Sequence, residues 1–175
     1  MTESLHIERF NTPIGHMLIV TDAGDRLHAA GWVDHEDRMQ RWLRQEYAGT
    51  AIQPGDARRD STAKRALEAY FEGDLKAISD VPTVANGTEF QREVWAALRL
   101  IPVGFTTSYS ALAAKLGRPA AVRAVGLANG ANPIAIVVPC HRVIGANGSL
   151  TGYADGLSTK ESLLVLEGVL PAPLV

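Results

Sequence analysis

The sequence predicts an α+β fold: a small N-terminal antiparallel sheet flanked by helices, then a mostly helical C-terminal domain of the winged helix-turn-helix type. Three observations predict it. Short apolar runs broken by turn residues occupy the N-terminal end, helical periodicity dominates after residue 88, and the weakly periodic stretch 73–87, with Pro82 and Gly87, divides the two. The expected domains are 1–85, an N-terminal α/β scaffold that includes the linker, and 86–175.

Taken in order, "HIERFNTPIGHMLIVTDAGDRLHAAGWV" is cut by Thr12-Pro13, Gly15 and Ala23-Gly24-Asp25, so it reads as strands joined by turns. "HEDRMQRWLRQEYAG" (35–49) puts Met39, Trp42, Leu43 and Tyr47 at helical spacing on a charged background, and "DSTAKRALEAYFEG" (60–73) repeats the pattern until Gly73 stops it. These are the two flanking helices. Thr88 with Gln91 forms a capping box that opens a helix through "TEFQREVWAALRLI", ended by Pro102 and Gly104. "SYSALAAKLG" (108–117) makes another, and Pro119 suits the first turn of a third, "PAAVRAVGLANG", which ends near Gly130. Two short helices joined through Gly117, Arg118 and Pro119 have the layout of a helix-turn-helix. Further on, "VIGANGSLTGY" centres Asn147-Gly148 between strand-like residues, a hairpin signal that would make the wing. Ser158 with Glu161 forms a second capping box, and the helix "TKESLLVLEG" closes near Gly168.

Composition narrows the function classes. An apolar content of 46% is that of a globular chain, and there is neither a secretory leader nor a long uncharged apolar run. The expectation is a cytoplasmic protein that engages no membrane. One cysteine, Cys140, excludes an internal disulfide framework and every paired-cysteine zinc or redox motif. Charge is uneven: residues 1–85 carry ten basic and fourteen acidic side chains, residues 86–175 seven and five. No acidic residue lies between Glu93 and Asp155, whereas Arg99, Lys115, Arg118, Arg123 and Arg142 all do. Such a stretch would tolerate a polyanion, or simply reflects a core rich in small residues.

The only cysteine sits in "VVPCHRVIG", with His141 next to it. A free thiol is only a few per cent thiolate at neutral pH, so a useful nucleophile needs a base or a positive field. Adjacent residues do not face each other on a strand or a helix, so the pair would act through a bridging water. A third group must hold the imidazole in its working tautomer; the acids of this half are Glu89, Glu93, Asp155, Glu161 and Glu167, of which Glu167 is the choice. On the dipeptide alone, Cys140 reads as a small buried hydrophobe and His141 as a capping or core residue. The wider string points elsewhere.

"NPIAIVVPCHRVIG", together with "FQREVWAALRLIPVG", "SYSALAAKLGRP", "VRAVGLANGANP" and "TGYADGLSTKESLLVLEG", closely resembles the O6-alkylguanine-DNA alkyltransferase family, of the Ogt type, nearly without a gap over residues 88–168. The N-terminal half matches more loosely, by length and by its "TPIG" opening, and the resemblance implies a ribonuclease H-like scaffold there. It implies a protein that binds duplex DNA carrying O6-alkylguanine, flips the base, and transfers the alkyl group irreversibly to Cys140, once per molecule, with O4-alkylthymine as a second substrate. His141 would be the general base acting through water, Glu167 its partner, and Asn132 the brace between the active-site strand and the recognition helix. No cofactor and no metal are implied, and a monomer is expected.

The resemblance also assigns the DNA contacts. Arg123 would enter the stack where the guanine left, on a recognition helix whose Ala120, Ala121, Ala124, Gly126 and Ala128 permit close approach to the minor groove. Tyr109 would press on the 3′ phosphate and serve guanine N3 with its hydroxyl. Main-chain groups of Cys140 and Val143 would accept from the guanine amine, Tyr153 would wall the pocket, and the Ala154 amide would reach O6. Asp155 departs from the family's usual glycine in the lid and bears on how bulky adducts are accepted. Rival readings are a non-catalytic damage binder, against which Cys140 argues, a cysteine hydrolase, for which no nucleophile elbow is present, and a winged-helix regulator with an inert thiol.

Overall fold

The computed structural model describes residues 4–53, 55 and 59–171. The chain divides into two compact units, Met1–Asn86 with Pro133–Val137, and Gly87–Asn132 with Val138–Val175. Among the described residues no helix is long and apolar enough to cross a membrane.

In the first unit β1 (Leu5–Thr12), β2 (Gly15–Asp22) and β3 (Leu27–Trp32) form an antiparallel meander. The β1–β2 turn is tight because Thr12 Oγ1 accepts from the Ile14 amide and donates to the Gly15 carbonyl, while Gly15 takes φ 136°, a conformation glycine adopts without a Cβ penalty. One face of the sheet presents Leu5, Ile7, Leu18, Val20 and Ala29 to Met39 and Leu43 of α1 (Glu36–Glu46). The other parity carries Glu8, whose buried carboxylate accepts the amide of Ser61, the N-cap of α2 (Thr62–Phe71). Helices on both faces explain why β2 and β3 are apolar runs rather than alternating strands.

Two features of this unit differ from the sequence expectation. β4 (Ile52–Gln53) joins the sheet parallel to β1, giving the order β3-β2-β1-β4, so the sheet is not purely antiparallel. A two-residue strand is too short to leave a period-2 signal. The stretch expected to be a linker is ordered: Ile78 and Val81 are buried, and the Leu27 amide donates to the Pro82 carbonyl while the Val84 amide donates to the Leu27 carbonyl. Ala30 makes the same paired contacts with Pro133 and Ala135. Two parallel bridges, at Thr83 and Ile134, thereby cover the outer edge of β3, which would otherwise offer unpaired amides.

The second unit is built on α3 (Glu89–Leu98), α4 (Tyr109–Lys115), α5 (Val122–Gly130) and α6 (Leu157–Leu166). The Thr88–Gln91 capping box is present, with both reciprocal bonds, and Ser108 caps α4. Trp95 of α3 donates its indole N–H to the Ala128 carbonyl of α5 at 2.8 Å. α4, the turn through Gly117 (φ 73°) and α5 make the helix-turn-helix.

Three local expectations are corrected here. Pro119 lies in the turn before α5, not in its first turn, because Arg118 closes a turn with Ala121 first. Asn147-Gly148 makes a tight turn, with the Gly145 amide bonded to the Ser149 carbonyl, but no antiparallel wing follows: β6 (Val143–Ile144) pairs in parallel with β5 (Thr107–Ser108). Ser158 is inside α6, whose N-cap is Gly156 at φ 99°, so no second capping box forms.

Gly87 precedes α3 so closely that a Cβ there would lie 2.6 Å from Cη2 of Trp95. Gly87→Ala should therefore displace the indole that holds α5 and destabilise the protein by about 1–3 kcal/mol. Urea unfolding followed by tryptophan fluorescence checks this; an unchanged midpoint would mean that the indole moves without loss.

Candidate active site

The cysteine reaches its position through a sequence of tight turns. Ile136, fully buried, sits at φ 71°, and the Val137 amide closes a γ-turn on the Ala135 carbonyl at 2.8 Å. Pro139 (φ −83°, ψ 66°) then forms the inverse γ-turn, closed by the Cys140 amide on the Val138 carbonyl. Cys140–Arg142 form one 3-10 turn. The cysteine is therefore not on a strand, and the alternation that would send His141 to the opposite face does not apply. Asn132 donates its side-chain amide to the Val138 carbonyl at 2.8 Å, tying this segment to the end of α5.

Cys140, His141 and Arg142 are all buried. His141 Nε2 lies 2.8 Å from Glu167 Oε2. Arg142 grips the same carboxylate with Nε on Oε1 at 2.8 Å and Nη2 on Oε2 at 3.1 Å, and its Nη1 donates to the Ile101 carbonyl. Burial alone would raise the Glu167 carboxyl, but hydrogen bonds from His141 and Arg142 and the charge of the guanidinium outweigh it and bring its pKa down to about 2. A carboxylate only accepts, so the imidazole carries its proton on Nε2. Burial lowers the imidazole pKa against the opposing pull of Glu167, which keeps the ring neutral. Nδ1 is thus a lone pair, buried and without a protein partner, on the residue that follows the thiol.

A second cation, Lys160, is fully buried on α6 and was not singled out in the sequence. Its Nζ donates to the Val143 carbonyl at 2.6 Å and to the Thr151 carbonyl at 2.8 Å. Tyr109 Oη also donates to the Thr151 carbonyl, at 3.1 Å. Burial lowers the Lys160 pKa and raises that of Tyr109, so the phenol stays a donor. The signal for Lys160 is its place on the inward stripe Lys160, Leu163, Leu164, Glu167, where a charge at each end of an apolar row needs a buried partner. Asn129, 2% exposed, was missed as well; its Nδ2 reaches the Cys140 carbonyl at 3.5 Å.

The structure brings Cys140, His141, Glu167, Asn132 and Val143 together, with Tyr109 joined through Thr151 and Lys160. Arg123 and Ala124 lie on the exposed face of α5, with Gly126 half-buried beside the Tyr109 ring. Ala128 is a correction: it is 3% exposed, because α3 packs against it there, with the Trp95 indole on its carbonyl. Leu127, 71% exposed, takes its place outside. Tyr153 is buried, Ala154 is exposed, and a turn closed by the Gly156 amide on the Tyr153 carbonyl carries them. Asp155 is 6% exposed, so its carboxylate is drawn in rather than presented to solvent. Within the acid-free stretch, Arg142 is committed to Glu167, and Arg118 to Glu93 at 3.0 Å and to the Phe90 ring.

A family model described as the DNA-binding domain of 6-O-methylguanine DNA methyltransferase matches residues 89–169. The chain is 50% identical over 163 residues to the methylated-DNA--protein-cysteine methyltransferase of Salmonella typhimurium, covering 93% of this chain and 95% of that one. The crystal structure of Mycobacterium tuberculosis O6-methylguanine methyltransferase superposes with a TM-score of 0.74 at 40% identity, over 97% of this chain and 96% of that one. A second structure of the mycobacterial protein, in complex with DNA, gives 0.74 at 39% identity over the same shares.

The buried cluster fixes an acid limb for stability. Glu167, with a folded pKa of about 2 against an ordinary 4.5, stabilises the fold above its unfolded value and loses that contribution as pH falls toward 2. His141, depressed from 6.5, adds a loss as pH drops below that value, because only the unfolded chain takes up the proton. Tm should fall from about pH 6.5 downward and more steeply below about pH 4.5. Glu167→Gln should lower Tm at pH 7 and flatten the lower part of the curve; an unchanged acid limb would acquit the carboxylate.

Proposed function

Since the chain belongs to the O6-methylguanine DNA methyltransferase family, we propose that Cys140 is the alkyl acceptor and His141 the base that activates it. The protein repairs DNA by alkyl transfer from O6-methylguanine to a cysteine, and DNA is its partner. The observation that carries the assignment is the free Nδ1 of His141, turned into a base by the Glu167 carboxylate on the other ring nitrogen.

The chemistry follows from these groups. The thiol proton passes through one water to Nδ1, and Sγ attacks the alkyl carbon as the O6–carbon bond breaks. The bonding pair stays on the guanine, which takes a proton at N3 from Tyr109 Oη; the phenolate regains it from the imidazolium by way of solvent. The net exchange is a thiol proton to guanine and an alkyl group to sulfur. A thioether is not hydrolysed by any group here, so each molecule acts once. The Val143 carbonyl, with one lone pair on Lys160, offers the other to the guanine amine, and the Ala154 amide faces O6 with Tyr153 as the wall. O4-alkylthymine fits the same displacement, and one monomer suffices.

Delivery of the base depends on α5. It has no acidic residue in its first turn and no side-chain cap, and Arg123 stands at its second position, where a cation opposes the helix dipole. That placement costs stability in the free protein and suits a polyanion: uncapped amides meet phosphate, and Arg123 fills the stack when the guanine is flipped. Asn132 holds the Cys140 segment to the same helix, so docking and chemistry share one element.

The decisive experiment mixes the protein with excess duplex carrying one O6-methylguanine, then records intact mass and maps the modified peptide. One methyl on Cys140 with no further turnover is expected, and none in Cys140→Ser. Binding without mass gain would instead favour a damage binder. Arg123→Ala should slow transfer from duplex by about ten- to a hundredfold while leaving reaction with free O6-benzylguanine within about twofold, since only flipping is impaired. Equal slowing of both would remove Arg123 from that role.

A further inference from the structure

Asn129 is an outlier among the buried residues of α5. Its neighbours on the inward face, Val125 and Ala128, are apolar, yet it is 2% exposed and carries a full amide. Nδ2 is directed at the Cys140 carbonyl, while Oδ1 is buried with no hydrogen-bond partner in the protein. A buried carbonyl oxygen left alone is costly, so an acceptor kept there implies a donor that arrives from outside the chain. His141 Nδ1 is another such atom, and it too belongs to a residue joined to Cys140.

We propose that Asn129 is a positioning residue for the acceptor thiol: it holds the Cys140 carbonyl through Nδ2 and, through Oδ1, orients the water that carries the thiol proton to His141. The inference rests on the transfer reading above. A water has two protons and must accept one from Sγ. It donates one to Nδ1, and the other needs an acceptor, or the molecule turns away from the thiol. Asn129 Oδ1 supplies that acceptor from α5. The proton balance is unchanged, since Asn129 neither gains nor loses one. Titratable groups around the thiol are His141 and Arg142 on its own turn, Lys160 and Glu167 on α6, and Tyr109 at the start of α4, all present in any Asn129 variant.

The test is the single-turnover rate on saturating O6-methylguanine duplex as a function of pH, for the native protein and for Asn129→Leu. With the water poorly held, the variant should be about tenfold slower near pH 6.5 and should converge on the native rate near pH 9.5, where thiolate forms without help. Duplex affinity should be unchanged. A residue that merely packs would slow transfer by one factor at every pH, and that result, or identical profiles, would overturn the proposal. Asn129→Ser, smaller and still polar, is read by the same criterion should the leucine variant fail to fold. Failure of the native protein to methylate Cys140 at all would sink the transfer reading, an outcome distinct from a native protein that reacts and a variant that behaves identically.

Discussion

The buried carboxylate of Glu167 is the group on which the rest of the second unit's site depends. It ends α6, fixes the tautomer of His141 and neutralises Arg142, whose remaining N–H reaches back to the Ile101 carbonyl after α3. A buried ion pair of this kind repays its desolvation only when its hydrogen bonds are well made, and here three bonds to the carboxylate, from His141 and Arg142, fall between 2.8 and 3.1 Å, with a fourth from Arg142 to the Ile101 carbonyl at 2.6 Å. Truncating either partner would leave a charge in an apolar interior. The cluster therefore acts as a pin: it sets where the 3-10 turn lies and how the imbalance of charge around the thiol is distributed.

A second constraint is the length of α5. Nine residues make two and a half turns, so every side chain on it is close to one of two faces. The outer face bears Arg123, Ala124 and Leu127; the inner face bears Val125, Ala128 and Asn129. Ala128 anchors the helix to Trp95, Asn132 follows its end onto the Val138 carbonyl, and Asn129 reaches the Cys140 carbonyl. The outer face and the contacts to the cysteine segment thus lie on opposite sides of one short helix. Gly126 lies beside the Tyr109 ring, where α4 and α5 meet.

Much of this was legible in the residues themselves. The Thr88–Gln91 capping box and both flanking helices followed from local pattern, because each is decided by neighbours within four residues, and the N-terminal strands followed from apolar runs cut by turn residues. Elements decided by distant partners were not. The Asn147-Gly148 turn formed, but its strand found a parallel partner at Thr107–Ser108 in place of a hairpin. Ser158 lost its cap because Gly156 supplied the bend two residues earlier. The expected linker became an edge cover because Leu27 had amide and carbonyl to satisfy.

For the site, the sequence by itself determined the candidates for the proposed chemistry. One thiol, one histidine in the C-terminal half and a family string around both left little choice of candidate nucleophile or base, and Glu167 could be picked from five acids as the proposed partner. Tertiary structure alone decided which charges are free. Arg142 stood among the cations of a stretch that would tolerate a polyanion and is a buried counterion; Lys160 drew no notice in the sequence and holds two carbonyls; Ala128, given to the groove by resemblance, faces inward. The reason is physical: side-chain type sets what a group can do, whereas burial and hydrogen-bond partners, which come from residues distant in the sequence, set whether it is available to do it.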